Sequence, residues 1–367
     1  LLLAPLYALG GEPLALWGAP LWMAAAALLT YRLTRDLAPQ AGRMGAALAA
    51  ALLLSSYEGV TRSLVPMADA AATALGMGLL CCLWRARQRD ALLWSALAGI
   101  CWGWLYFVRH PNLGLGLAAL PALATNCCPS RQRWRRLWVY GGAALLVALP
   151  DLIYHARVFG APWVTESHEW ALLSWRHVGP AVRALLKDGW LRRNEWGYLL
   201  PLIAYGAWRQ GRSPAERPAA TMLWAGLVPV MVFHLCYSAL RLRDLLPLFP
   251  WAALWAARGA SAIWHGSTSA PRQLRKRAAL ACALSLALMA RSGETLGLPW
   301  AEQVQVFGHI TAAQRAAYTA LAEALPANAV VATGLNSGAV ARYSGAPTFR
   351  PASWTAEEFA RFARALE

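Results

Sequence analysis

The chain has 367 residues, 58% of them hydrophobic and 14% charged, with 20 tryptophans, and its mean hydropathy is +0.37. Soluble domains carry about 25% charged residues, so a soluble globular protein is excluded. The formal charge of +16 does not mark a nucleic-acid binder, because the Lys and Arg residues sit in gaps between apolar runs, where they orient membrane spans.

Apolar runs of about 17 to 20 residues recur, each long enough to cross the hydrocarbon layer as a helix. The expected fold is an all-α polytopic membrane protein of about ten transmembrane helices, followed by a small, truncated C-terminal α/β extracytoplasmic domain. Leu1 to Leu9 is too short to span, and Gly10, Gly11 and Pro13 break it. Spans are then expected at 14–31, 44–58, 67–84, 91–108, 111–127, 136–154, 194–208, 221–240, 244–263 and 278–297. Residues 1–298 make the multi-span domain and 299–367 the partial outer domain. The sequence opens LLLAPLYALGG and stops at Glu367 inside a helical pattern, so it reads as a fragment lacking a first span and first outer loop.

The connections alternate in charge. Those at 32–43, 85–89, 131–136, 209–217 and 258–277 carry 3, 3, 4, 3 and 5 basic residues, and the short ones between them carry 1, 1 and 2. The positive-inside rule makes the first set cytoplasmic. Glu58, Arg62, Asp69, Arg109, His110, Asp151, the 155–195 loop, Arg241, Arg243 and Asp244 then share the outer face of an inner membrane, with the tail after about 298. The 155–195 loop interleaves Trp163, Trp170, Trp175, Trp190 and Trp196 with charges, a pattern suited to interfacial helices. Its Glu166, His168, Glu169 and His177 are metal-ligand types at a spacing that matches no metal motif. The seven cysteines, Cys81, Cys82, Cys101, Cys127, Cys128, Cys236 and Cys282, form no CxxC pair and read as small packing residues.

In the tail, Ile310 to Leu325 reads as an amphipathic helix closed by Pro326. Ala329 to Thr333 reads as a buried strand and Phe359 to Leu366 as a second helix, with turns at Gly334 and Gly338. Asn336, Ser337 and Gly338 after the strand are read as a plain loop rather than an anion loop.

Charged residues at membrane depth are functional candidates, because each costs several kcal/mol unless paired or wetted. The stretch SSYEGVTRSLVPMAD, Ser55 to Asp69, places Glu58, Arg62 and Asp69 in one connection. Glu58 and Arg62 stand i,i+4, so a solvated ion pair is their simpler reading, while Asp69 has a helix-capping alternative. Three outer turns carry arginine beside apolar spans: YEGVTRSLVPMAD (57–69), WLYFVRHPNLGLG (104–116) and SALRLRDLLPLFPWAALWAARG (238–259). Each arginine alone suits snorkelling to the headgroups. Together, beside a carboxylate, they suit bidentate binding of a lipid-linked phosphate.

These motifs resemble the membrane glycosyltransferases of the GT-C type, the group of protein O-mannosyltransferases, aminoarabinose transferases and RgtA/B/C/D-like enzymes. PLYALGG resembles the family's segment after its first outer loop, and Thr61-Arg62-Ser63 with Asp69 resembles its SRSxxxxxD-like turn. Arg109 after GICWGWLYFV is similar to the basic residue ending a Gly-rich span. Arg243-Asp244-Leu245-Leu246-Pro247-Leu248-Phe249-Pro250 is similar to "RYLLPLLP", and IYHARVFGAPW to "YNYxxFGSPF". The tail LPANAVVATGLNSGAVARYSGAPTFRP is similar to the family's outer domains. Asp244 departs from the pattern, standing where the family usually has an aromatic residue.

The resemblance implies sugar transfer from a polyprenyl-phosphate-linked donor to a glycan, lipid or protein acceptor at the outer face. It implies contact with membrane lipids and no nucleic acid. Asp69 is then the catalytic candidate, holding a divalent metal (Mg or Mn) or the acceptor. Arg62, Arg109 and Arg243 are expected on the donor phosphate, with Arg241 as a weaker candidate and Glu58 beside them. Lacking the first outer loop, in which the family holds its catalytic Asp, the fragment is expected to bind donor lipid without turnover. The alternatives are a transporter or flippase of a lipid-linked or small substrate, which would place ionisable groups near the midplane and carry an internal repeat, and a non-catalytic assembly subunit.

Overall fold

The computed structural model describes residues 3–65, 67–89, 91–124, 130–163, 172–187, 195–238, 240–266, 270–297, 311–334, 337–351 and 354–366. Two compact units are present, Leu1–Leu298 and Pro299–Glu367.

The first unit is helical. Its α-helices in order are α1 (Ala4–Leu16), α2 (Gly18–Leu37), α3 (Gly42–Leu54), α4 (Tyr57–Ser63), α5 (Ala68–Arg89), α6 (Leu92–Val108), α7 (Ala119–Leu123), α8 (Ser130–Phe159), α9 (Val178–Ala184), α10 (Leu200–Arg212), α11 (Arg217–Cys236), α12 (Phe249–Trp264) and α13 (Ala270–Gly297). As the sequence suggests, α1 breaks at Gly10–Gly11, where Gly11 takes φ 64, the left-handed region that favours glycine. Among the described residues, α8 and α11 are each long and apolar enough to cross a membrane. Two bent pairs pass the same test jointly: α1 with α2 across 85°, and Pro39–Leu54 with α4 across 65°. Large apolar side chains, among them Leu28, Trp138, Leu146, Leu286 and Met289, point outward from α2, α8 and α13. An apolar exterior of this kind marks contact with lipid.

Several expected spans differ in form. The 111–127 run is a 3-10 helix over His110–Ala118 followed by the short α7. Pro111, Gly114, Gly116 and Pro121 disfavour a continuous α-helix there. Such backbone is tolerated at membrane depth only when protein covers it, and Asn112, Leu115, Gly116 and Ala118 are buried. The 244–263 run likewise opens as a 3-10 helix, Leu242–Leu248, before α12. Helix α8 overruns its expected span at both ends and stops at Gly160, φ 81. Arg258, expected in a cytoplasmic connection, is instead buried within α12 and paired with Glu216 at 2.9 Å. Trp170, Trp190, Cys127, Cys128, Asn336 and the loop residues Glu166, His168 and Glu169 lie outside the described residues.

Close packing in the first unit rests on small residues, as expected where lipid removes the hydrophobic drive between helices. Helices α10 and α12 cross at Gly206 and Gly259. A methyl on Gly206 would strike the Trp255 carbonyl, and one on Gly259 the Leu202 carbonyl. The connections expected to be cytoplasmic converge beside this crossing. The Arg258 guanidinium donates to Gln40 at 2.7 Å as well as to Glu216. Gln210 donates to the Leu37 carbonyl at 3.0 Å and accepts from Trp255 at 2.8 Å.

In the second unit, Thr311 and Gln314 form a capping box that starts α14 (Ala312–Ala324). Strand β1 (Val331–Ala332) pairs in parallel with β2 (Thr348–Phe349), Val331 opposite Thr348, with α15 (Ser337–Ser344) between them in the chain. Ser337 and Gly338 open this helix, so they do not form the loop expected there. Helix α16 (Ala356–Leu366) follows, and Phe349 packs on Trp354, Phe359 and Phe362 with ring centroids 4.6 to 6.1 Å away.

Candidate active site

Three separated turns of the first unit meet in one polar cluster. After α3 the chain bends, and Ser56 caps α4 by accepting from the Gly59 N–H at 2.9 Å. One turn of α4 then sets Glu58 and Arg62 on the same face, with Glu58 Oε2 to Arg62 Nε at 3.0 Å. The pair is the i,i+4 couple the spacing suggests, but it is buried rather than solvated, with Glu58 only 4% exposed. The Glu58 backbone N–H also donates to Glu195 Oε1 at 2.6 Å. Arg291 in α13 pairs with Glu195 at 3.5 Å, donates to the Leu52 carbonyl at 2.9 Å, and lies 4.5 Å from the Trp196 ring centroid. This strut fixes α4 against α13.

Asp69 lies in the first turn of α5, where a negative charge meets the positive end of the helix. It is 3% exposed. Its partner is Arg109, the C-cap of α6, whose extended backbone (φ −165, ψ 96) ends that helix. The same guanidinium reaches Asp244, so one arginine bridges two buried carboxylates from different helices.

Asp244 collects more than Arg109. In the 3-10 helix Leu242–Leu248 its Oδ2 accepts from the Arg241 backbone N–H at 2.9 Å and from Arg241 Nε at 3.4 Å. Arg243 Nε is 3.9 Å from Asp244 Oδ1, and Arg243 Nη1 is 3.6 Å from Met67 Sδ, on the stretch that leads to Asp69. Arg109, the Arg241 N–H and the Arg241 guanidinium all face the Asp244 carboxylate. Burial followed by the Arg241 charge lowers the Arg243 pKa, with Arg62 adding to the effect and Asp244 and Glu58 opposing it. Among the described residues, Arg62, Arg109, Arg241 and Arg243 gather around Glu58, Asp69 and Asp244. Crowded guanidinium groups favour an added anion.

All six candidates read from the sequence, Glu58, Arg62, Asp69, Arg109, Arg241 and Arg243, therefore lie in this cluster, along with Asp244. A divalent cation fits the described residues poorly. Asp69 is engaged by Arg109, and among the described residues no three His, Cys, Asp or Glu side chains gather to hold a metal. His177 sits apart from any such group, ending the short 3-10 turn before α9.

Two residues here carry no signal in the sequence. Asn112 and His234 are 0% and 2% exposed, yet neither the Asn112 amide nor the His234 ring makes a hydrogen bond. The 110–118 segment runs antiparallel to α11, with Gly114 against Pro229 and Val230 and Leu115 against Gly226. That register sets Asn112 toward the His234 end of α11, near Arg109, whose carbonyl accepts from the Asn112 N–H at 3.0 Å. Burying polar atoms without partners is costly. Their grouping became visible only once two distant segments were packed together.

No family profile and no curated protein matches the chain. Solved structures do. ArnT from Cupriavidus metallidurans bound to undecaprenyl phosphate aligns at a TM-score of 0.60 and 14% identity, over 99% of this chain and 76% of that one. The apo form of the same protein aligns at 0.60 and 15%, over 95% and 74%. The Archaeoglobus fulgidus oligosaccharyltransferase aligns at 0.56 and 12%, over 92% and 53%. These are GT-C glycosyltransferases, and the chain has their fold.

Proposed function

We propose that the chain belongs to an integral membrane glycosyltransferase that moves a sugar from a polyprenyl-phosphate-linked donor to an acceptor hydroxyl at the outer face of the cytoplasmic membrane. The observation that carries this reading is the convergence of Arg62, Arg109, Arg241 and Arg243 on one spot. The fold shared with a protein crystallised with undecaprenyl phosphate supports the choice of anion.

In the reaction the acceptor oxygen bonds to the anomeric carbon as the anomeric carbon–phosphate oxygen bond breaks. The acceptor's proton passes to a base, and the phosphate leaves with the electron pair. Arg62, Arg241 and Arg243 take up that developing charge, since preorganised cations stabilise a leaving anion best in a water-poor site. Asp69 is a positioning residue in this scheme. It holds Arg109 Nη1 while Asp244 holds Nη2. No metal enters the scheme, because the arginines supply the neutralising charge.

The outer assignment has support from the two polar gatherings. The connections around 57–69, 109 and 241–244 meet one another, and those around Gln40, Glu216 and Arg258 meet one another elsewhere. That is the partition the positive-inside rule demands. About ten crossings and an outer position for residues 299–367 complete the proposed topology. The test is lipid binding by the purified chain in nanodiscs. Polyprenyl phosphate is expected to bind at least tenfold tighter than the matching polyprenol. Equal binding of the two would remove the phosphate site.

A further inference from the structure

Asp244 is the least expected member of the cluster. It is an acid, 2% exposed, lying against three arginines that would otherwise face a phosphate: Arg109, Arg241 at 3.4 Å and Arg243 at 3.9 Å. We propose that Asp244 is a resident counter-anion that levels the site's affinities, offsetting the extra pull of the arginines on the doubly charged phosphomonoester left after transfer relative to the singly charged sugar phosphodiester. The inference rests on the phosphate-site reading above.

The chemistry of transfer creates the problem that Asp244 addresses. A polyprenyl phosphosugar is a phosphodiester with one negative charge. Cleaving its anomeric carbon–oxygen bond leaves a polyprenyl phosphomonoester of about −1.5 to −2 at neutral pH. A cluster of bare arginines would hold that product more tightly than the donor and stall release. A fixed carboxylate among those arginines repels both lipids, and Coulomb energy scales with the product of the charges. Its penalty on the monoester is therefore up to twice its penalty on the diester in free energy, which is the square in affinity.

The geometry makes this repulsion a fixed property of the site. Asp244 is pinned by the Arg241 backbone N–H at 2.9 Å as well as by side chains, so it cannot swing away when a phosphate arrives. Its two oxygens are divided, Oδ1 toward Arg109 and Arg243 and Oδ2 toward Arg241. Guanidinium groups carry five donors each, so a phosphate can share Arg243 and Arg241 with the carboxylate without displacing it.

The experiment compares equilibrium affinities of undecaprenyl phosphate and its glucosyl phosphodiester for the chain in nanodiscs. Wild type is expected to bind the two within about threefold, despite the extra charge on the monoester. Asp244→Asn keeps the shape and removes the charge. It is expected to tighten the diester about threefold to tenfold and the monoester by about the square of that factor, so the monoester-to-diester ratio rises at least threefold. Asp244→Glu keeps the charge and should keep the wild-type ratio. An Asp244→Asn ratio equal to wild type overturns the proposal, as does weaker binding of both lipids. If Asp244→Asn does not fold, the wild-type ratio decides: a monoester preference above about threefold overturns the proposal. Wild-type binding of neither lipid overturns the phosphate-site reading itself, and the proposal with it.

Discussion

Replacing Arg109 by Met should destabilise the first unit severely. The side chain is 16% exposed and bridges Asp69 and Asp244, whose side chains are 4% and 3% exposed. Removing one partner of a buried ion pair costs about 3–5 kcal/mol, because the remaining charge is stranded, and here two carboxylates lose the same cation. Part of that cost is recoverable. Asp69→Asn alone strands part of the Arg109 charge, but in the Arg109→Met background it removes a stranded carboxylate. The double variant should therefore be more stable than the sum of the two single losses, by roughly 1–3 kcal/mol of coupling. With an unfolding entropy of about 2.1 cal/mol/K per residue, a chain of this size shifts by roughly 1–2 °C per kcal/mol, so Arg109→Met should unfold about 4–6 °C below wild type. Thermal unfolding in detergent, followed by tryptophan fluorescence for all four members of the cycle, measures this. Strictly additive losses, or a shift under 1 °C for Arg109→Met, would refute the bridge.

Other expectations follow from the same contacts. Arg243→Lys keeps the charge but loses the planar fork. A charged contact is worth about 1.5–3 kcal/mol, so undecaprenyl phosphate should bind roughly tenfold more weakly, whereas a helix-anchoring arginine would tolerate lysine because lysine snorkels as well. Gly206→Leu should prevent folding, since its side chain would enter the α10–α12 crossing at the Trp255 carbonyl, while Gly211→Ala meets nothing and should express as wild type; yields by size-exclusion chromatography compare them.

The charged residues of the cluster were legible in the sequence, while their contacts and the form of several helices were not. Arg62, Asp69, Arg109, Arg241 and Arg243 stood out because each breaks an apolar context, and that signal needs no structure. Which of them touch was hidden, since Arg109 and Asp244 are 135 positions apart and only packing joins them. Asp244 showed as a departure from an aromatic pattern, without a partner to explain it. Helices were legible from apolar length, and α5, α6, α8 and α11 fall on expected runs. The form of the 111–127 run was not, because hydropathy averages over Pro111, Gly114 and Gly116, which decide between α and 3-10 backbone. Arg258 misled for a related reason: charge suggested a loop, while a buried Glu216 and Gln40 satisfy it inside α12.

Photo-crosslinking gives the most direct test of the arginine cluster as a lipid-phosphate site. An undecaprenyl phosphate carrying a diazirine on its first isoprene unit is bound to the chain in nanodiscs, irradiated, and the adducts are mapped by mass spectrometry. The predicted adducts fall on α4 and Met67, on residues 109–113 and on the 240–246 segment, and excess phosphate-bearing lipid, but not polyprenol, competes them away. Adducts concentrated instead around Gln40, Glu216 and Arg258, or labelling that polyprenol competes equally well, would contradict it.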